Sequence, residues 1–286
     1  MFHKYHALGN DYLTLDPAQQ SGAMASELKP AQAIAICDRH RGVGSDGIVY
    51  GPLAEETRPS HFACEIWNPD GSIAEVSGNG LRIFARYLVD AGYILLDETD
   101  GCVLHSGGRT IPIAYGDRPD APIRVELGLA STAPEPNTLP PDLLAALGPA
   151  TLVNVGNPHC VFFPDAAIDD SLAWRWGPIV ESDPAFPQRT NVQFVRVIDA
   201  HTIAIEIWER GAGYTQASGS SSCAAALAAI QRGGCASPVT VQMPGGELTV
   251  DVSAGADGWH VALTGPVTPV FTGCWASDFL GPISNT

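Results

Sequence analysis

The chain has 286 residues, 45% of them hydrophobic, enough for one large core or, as expected here, two lobes of about 140 residues each. Its 15 Lys and Arg against 31 Asp and Glu give a formal net charge of −16 at pH 7, a surface that repels nucleic acid and anionic membrane, so neither is an expected partner. Seven scattered cysteines with no CxxC pair and no metal-like Cys/His spacing indicate neither a disulfide framework nor a metal site, and the lack of a charged leader or an apolar run of membrane-spanning length makes the cytoplasm the expected location.

In chain order, Pro30 to Asp38 reads as a helix and Gly47 to Tyr50 as a short strand. Phe62 to Trp67 has the length and flanks of a strand, and Asn68-Pro69-Asp70-Gly71 is a strong turn signal. A helix follows over Gly78 to Ala91, with its apolar run, Leu81 to Val89, ending near Gly92. Short apolar runs at Arg109 to Ala114 and Ile123 to Leu127 lead to a Pro-rich stretch, Ala133 to Pro141, whose consecutive prolines can continue neither kind of element. Beyond it come a helix near Trp174 to Ser182, strands over Asn191 to Val197 and Thr202 to Trp208, and the turn Arg210-Gly211-Ala212-Gly213. An alanine-rich helix, Gly219 to Arg232, is closed by Gly233-Gly234, and strands at Val239 to Met243 and Leu248 to Val252 follow.

Two stretches of this inventory repeat. Glu65-Ile66-Trp67 recurs as Glu206-Ile207-Trp208, and Ser77-Gly78 recurs as Ser218-Gly219 at the same offset of 141 residues. A weaker echo joins Leu8-Gly9-Asn10-Asp11 to Val155-Gly156-Asn157-Pro158. Each copy runs strand, polar Gly-rich turn, helix. The expected fold is therefore α+β, with two pseudo-symmetric lobes, each a mixed, strongly curved sheet around a central helix. The expected boundaries are 1–132 for the first lobe, 133–141 for the connection and 142–286 for the second, with the C-terminal end free to cross back to the first.

A helix start offers unpaired N–H groups, and small residues such as Gly78, Gly80, Gly219 and Ser220 let a carboxylate or phosphate approach them. Ser77 and Ser218 can each serve simply as a helix cap. Two such starts facing each other can instead hold an α-carboxylate and place one side chain on each face of the α-carbon. Inversion of a stereocentre needs that arrangement, since one group removes the proton and another returns it from the opposite side.

Several stretches together resemble diaminopimelate epimerase. They are Leu8-Gly9-Asn10-Asp11-Tyr12, Asp38-Arg39-His40-Arg41-Gly42-Val43-Gly44-Ser45-Asp46-Gly47, Asn68-Pro69-Asp70-Gly71-Ser72, Ser77-Gly78-Asn79-Gly80-Leu81-Arg82, Gly156-Asn157-Pro158-His159, and Glu209 through Gly219. The resemblance implies an amino-acid racemase or epimerase that works without pyridoxal phosphate or any other cofactor, on a small-molecule amino acid, with a homodimer as a possible assembly. It implies that Asn10, Asn68, Asn157, Asn191, Glu209 and Arg210 bind the distal end of the substrate, and that Gly78-Asn79 and Gly219-Ser220 cradle the reacting carboxylate. Arg210 suits a carboxylate and Glu209 an ammonium. It also places Ser77 and Ser218 where the family carries its catalytic thiols, and Gly47 where many members carry a polar residue. A serine hydroxyl needs a neighbouring base before it can do the work of a thiol.

Three readings follow. In the first, an epimerase or racemase uses Ser77 and Ser218 as proton relays, or as hydrogen-bond donors, with His159 and Glu209 as the ionisable groups; His159 is expected to titrate near neutrality. In the second, the same site performs an isomerisation or a dehydratase-like lyase step with a single ionisable base. In the third, the chain is a ligand-binding homologue or a Cys-to-Ser variant impaired in turnover. Cys223, on the helix after Ser218, is expected in the core.

Overall fold

The computed structural model describes residues 1–54, 58–74, 77–134, 139–276 and 278–279, apart from the side chains of Ala23 and Pro134. The chain divides into two compact units, Met1–Val125 with Gly265–Thr286, and Glu126–Thr264.

In the first unit the order is β1 (Phe2–Ala7), β2 (Asn10–Leu15), α1 (Pro30–Cys37), β3 (Gly47–Leu53), β4 (His61–Trp67), α2 (Gly78–Asp90), β5 (Gly101–Ser106), β6 (Arg109–Ala114) and the start of β7 (Ile123–Pro134). The second unit takes the rest of β7, then α3 (Pro141–Leu147), β8 (Ala150–Asn154), β9 (Pro158–Phe162), α4 (Asp170–Glu181), β10 (Asn191–Asp199), β11 (Thr202–Glu209), β12 (Gly213–Thr215), α5 (Gly219–Gln231), β13 (Val239–Met243), β14 (Gly246–Gly255) and β15 (Gly258–Gly265). The last strand, β16 (Thr268–Gly273), belongs to the first unit because it pairs antiparallel with β1.

The two units repeat one topology. In the first, the strands lie in the order β16-β1-β2-β3-β4-β5-β6-β7; in the second, β7-β8-β9-β10-β11-β13-β14-β15. In both, the third and fifth pairings along this order are parallel and the rest are antiparallel. Within the second unit β15 pairs with β7 as well. The fold is α+β and dominated by its sheet, as expected. The Pro-rich segment expected to join the lobes, 133–141, runs from the end of β7 to the first residue of α3; residues 135–138 of it lie outside the described residues. By compactness the chain divides after Val125 and again after Thr264.

Each unit has its own apolar core and one buried helix of 13 residues. In the first, Phe2, Leu13, Leu15, Ile36, Ile48 and Tyr50 cluster, and α2 packs on β1, β2 and β3. In the second, Cys160, Phe162, Trp176, Val180, Val192 and Phe194 cluster, and the alanine-rich α5 packs on β8, β9, β10 and β11. Small side chains let α5 lie close to the sheet, and Cys223 within it is fully buried, as expected. Among the described residues no helix is long and apolar enough to cross a membrane.

Candidate active site

In the first unit, two sequence signals position the side chains. The tight turn between β1 and β2 carries Leu8 at φ 56° and Gly9 at φ 89°, the pair of positive φ values that a two-residue hairpin demands. It sets Asn10 at the head of β2. At the other end, Ser77 adopts extended backbone and caps α2: its Oγ accepts the Gly80 N–H at 3.1 Å, and its carbonyl accepts the Leu81 N–H at 2.9 Å. The cap uses the third and fourth amides of the helix. The first two, Gly78 and Asn79, have no carbonyl partner within it, and the helix dipole favours an anion beside them.

Asn79 and Asn10 meet directly. The Asn79 amide donates to Asn10 Oδ1 at 2.9 Å, the Asn10 amide donates to Asp46 Oδ2 at 2.9 Å, and the fully buried Arg82 donates to Asn79 Oδ1 at 2.7 Å. Arg39 Nη2 donates to Asp11 and to Asp46, each at 2.6 Å, and Lys4 pairs with Asp11 at 2.7 Å. Burial pushes the Asp46 carboxyl up and the neighbouring Asp11 charge adds to it; burial opposes ionisation of Asp11 too, but Arg39 and Lys4 outweigh it and hold Asp11 below the usual carboxylate range. Asn68 is not part of this chain of bonds. Its amide donates to Ser72 Oγ at 2.9 Å, tying down its own turn.

The second unit repeats the helix start. Ser218, 3% exposed, caps α5 with extended backbone; its Oγ accepts the Ser221 N–H at 3.4 Å and its carbonyl accepts the Ser222 N–H at 3.1 Å. Gly219 and Ser220 thereby occupy the places that Gly78 and Asn79 hold in the first unit. Ser221 Oγ in turn accepts from the Gln193 amide at 3.0 Å.

Asn157, His159, Asn191 and Arg210 are brought together around the ends of β9, β10 and β11. His159 Nε2 lies 2.8 Å from Asn157 Oδ1, Asn191 donates to the Pro158 carbonyl at 2.9 Å, and the Arg210 N–H donates to Asn191 Oδ1 at 3.0 Å. Glu209 sits half-buried at the end of β11. The expectation that His159 titrates near neutrality is corrected. Burial pushes its pKa down to about 3, against a pull the other way from the Gln193 carboxamide and with added repulsion from Arg210. At neutral pH it is an uncharged imidazole.

Two supports have no counterpart in the sequence reading. The first is Glu181, at the end of α4 and 5% exposed: its carboxylate accepts the Trp208 indole N–H at 2.7 Å and the Gly211 N–H at 2.7 Å, and pairs with Arg189. It holds the turn carrying Glu209 and Arg210. The second is Tyr12, whose hydroxyl lies 3.2 Å from Ser77 Oγ. Tyr12 faces Gly47 across the parallel β2–β3 pair. A Cβ at Gly47 would fall 2.5 Å from Tyr12 Cε1 and 2.6 Å from the Trp67 carbonyl oxygen.

Comparison with known proteins places these features in a family. The model of diaminopimelate epimerase matches residues 2–132 and 151–270. Diaminopimelate epimerase 2 of Nostoc sp. is 44% identical over 282 residues, covering 95% of this chain and 94% of its own; the diaminopimelate epimerase of Synechococcus sp. (strain JA-3-3Ab) is 37% identical over 291 residues, covering 96% and 98%. Among solved structures, a probable proline racemase from Agrobacterium radiobacter K84 superposes with a TM-score of 0.68 at 14% identity, over 99% of this chain and 95% of that one. A PhzF-family phenazine biosynthesis protein from Bacillus anthracis gives a TM-score of 0.67 at 13% identity, over 94% and 96%. These two likenesses concern the fold.

Proposed function

The chain belongs to the diaminopimelate epimerase family and is an isomerase of the epimerase and racemase type, and from that premise we propose that it inverts the α-carbon of a diaminopimelate-like amino acid without a cofactor, with Ser77 and Ser218 at the acid and base positions. The observation that carries this reading is the duplicated helix start. Each unit has a serine whose oxygen is tied to the third amide of a buried helix, leaving the first two amides for an anion. Inversion needs two proton-handling groups, and duplication supplies two.

Gly78 with Asn79, and Gly219 with Ser220, receive the reacting carboxylate. Asn10, Asn68, Asn157, Asn191, Glu209 and Arg210 recognise the distal end, Arg210 its carboxylate and Glu209 its ammonium. His159, uncharged and buried, supports Asn157 by hydrogen bonding rather than acting as the base.

The test is hydrogen exchange. Incubated in D₂O with LL- or meso-diaminopimelate, the protein is expected to replace the α-proton by deuterium and interconvert the two isomers, followed by proton NMR and chiral chromatography. Ser77→Cys with Ser218→Cys is expected to raise the rate about 100-fold or more, since thiols ionise far more readily than hydroxyls. Exchange without inversion would favour a reaction with one ionisable base, and tight binding without exchange would favour an impaired homologue.

A further inference from the structure

We propose that Tyr12 is the ionisable partner of Ser77, a positioning residue whose phenol supplies, through the Ser77 hydroxyl, the proton delivered to the reacting carbon. The inference rests on the reading of Ser77 as a proton-handling group and adds the acid that this reading lacks. An aliphatic hydroxyl is a poor acid, whereas a phenol ionises within the range that proteins use.

Ser77 Oγ has two lone pairs. The Gly80 N–H occupies one at 3.1 Å, and the Tyr12 hydroxyl, 3.2 Å away, is within reach to donate to the other, the direction the proposal assigns. The Ser77 proton is then turned away from both, toward the mouth of the helix. In the protonating step that proton passes to the carbanionic carbon, whose electron pair becomes the new C–H bond. The Ser77 O–H bond breaks, the Tyr12 proton moves onto Ser77 Oγ, and a phenolate remains at Tyr12. Run in reverse, the phenolate takes back its proton as Ser77 removes one from carbon. Protons and charge balance without an outside reactant.

The ring that carries this hydroxyl fits only because position 47 has no side chain. Tyr12 and Gly47 are register partners, and the ring fills the volume a Cβ would need. Gly47 and Ser77, two of the three positions at which the resemblance breaks, thus both meet Tyr12. In the second unit the matching register position, opposite Asn191 on the parallel β9–β10 pair, holds His159, whose Nε2 meets Asn157 Oδ1, while the Ser218 hydroxyl meets the Ser221 N–H. The two caps are therefore chemically unequal.

The experiment is a double-mutant cycle read by α-proton exchange of diaminopimelate in D₂O, with thermal unfolding to check that each variant is folded. Tyr12→Phe keeps the ring over Gly47 and removes only the hydroxyl. In the parent it is expected to lower kcat about 100-fold with KM changed less than about twofold. In the Ser77→Cys background, where the thiol ionises unaided, the same substitution is expected to cost less than about threefold. Equal losses in both backgrounds, or no loss in the parent, overturn the proposal. A silent parent beside an active Ser77→Cys, Ser218→Cys variant also overturns it while leaving the family reading intact. Silence of both overturns the reading beneath it and this inference with it.

Discussion

Burying the His159 imidazole has a consequence for stability that can be measured without any substrate. Free histidine titrates near 6.5, and burial takes His159 down to about 3. Between those values the unfolded chain holds a proton that the folded chain does not, so stability rises with pH across that window. The contribution is fully present above about pH 6.5 and is lost on acidification toward about 3, by about 1.4 kcal/mol per pH unit. Denaturant unfolding at pH 7 and pH 4.5 should show a smaller loss for His159→Gln than for the parent. Equal losses would mean that the imidazole is hydrated enough to ionise in the native state. Nothing in Gly156-Asn157-Pro158-His159 announces this burial, because ionisation depends on what covers the side chain and not on its neighbours in sequence. The same limit hid Tyr12. Its importance lies in the empty volume at Gly47, 35 positions further along the chain.

At the scale of elements, α2 and α5 were legible because each announces itself three ways, by a capping serine, a small-residue start and an apolar run closed near glycine. Strands β8 and β9 were not, since five residues give too short a period to separate from loop, and α3 was hidden behind the prolines that open it. The helix near Trp174 was read, but not its purpose. Its last residue, Glu181, is a buried carboxylate whose oxygens accept from the Trp208 indole and the Gly211 amide. Neither partner is near it in sequence, so no motif marks it. Glu181→Ala removes an acceptor and leaves those donors and Arg189 without it, at an expected cost of about 3 kcal/mol. Chemical denaturation measures that cost. Because the same carboxylate fixes the turn bearing Glu209 and Arg210, calorimetric titration with diaminopimelate should show weakened binding in Glu181→Ala, beyond the stability change alone. Unchanged affinity would place the role of Glu181 in folding only.

At the scale of the molecule, three-residue echoes in the sequence expand into a complete repeat of strand order and orientation, and the repeat explains where the ends of the chain go. In the second unit β8 is flanked by β7; in the first the equivalent strand, β1, is flanked by β16, which comes from the far end of the chain. Residues beyond Thr264 therefore complete the first sheet and contribute Trp275, whose ring centroid lies 4.7 Å from that of Phe2. A chain ending at Thr264 leaves β1 as an exposed edge with Phe2 uncovered, losing the ladder on one side and the aromatic contact together. Hydrogen exchange on that truncated chain should show protection lost across Phe2–Ala7 and kept across β9, β10 and β11, whose pairings all lie within 126–264. The complementary fragment, residues 126–264, contains its own core, its own helix and the β15–β7 pairing, and should fold when expressed alone. Simultaneous loss of protection in both sets of strands would make the two repeats one cooperative unit despite their separate cores, and the duplication would then be visible in topology but not in energetics.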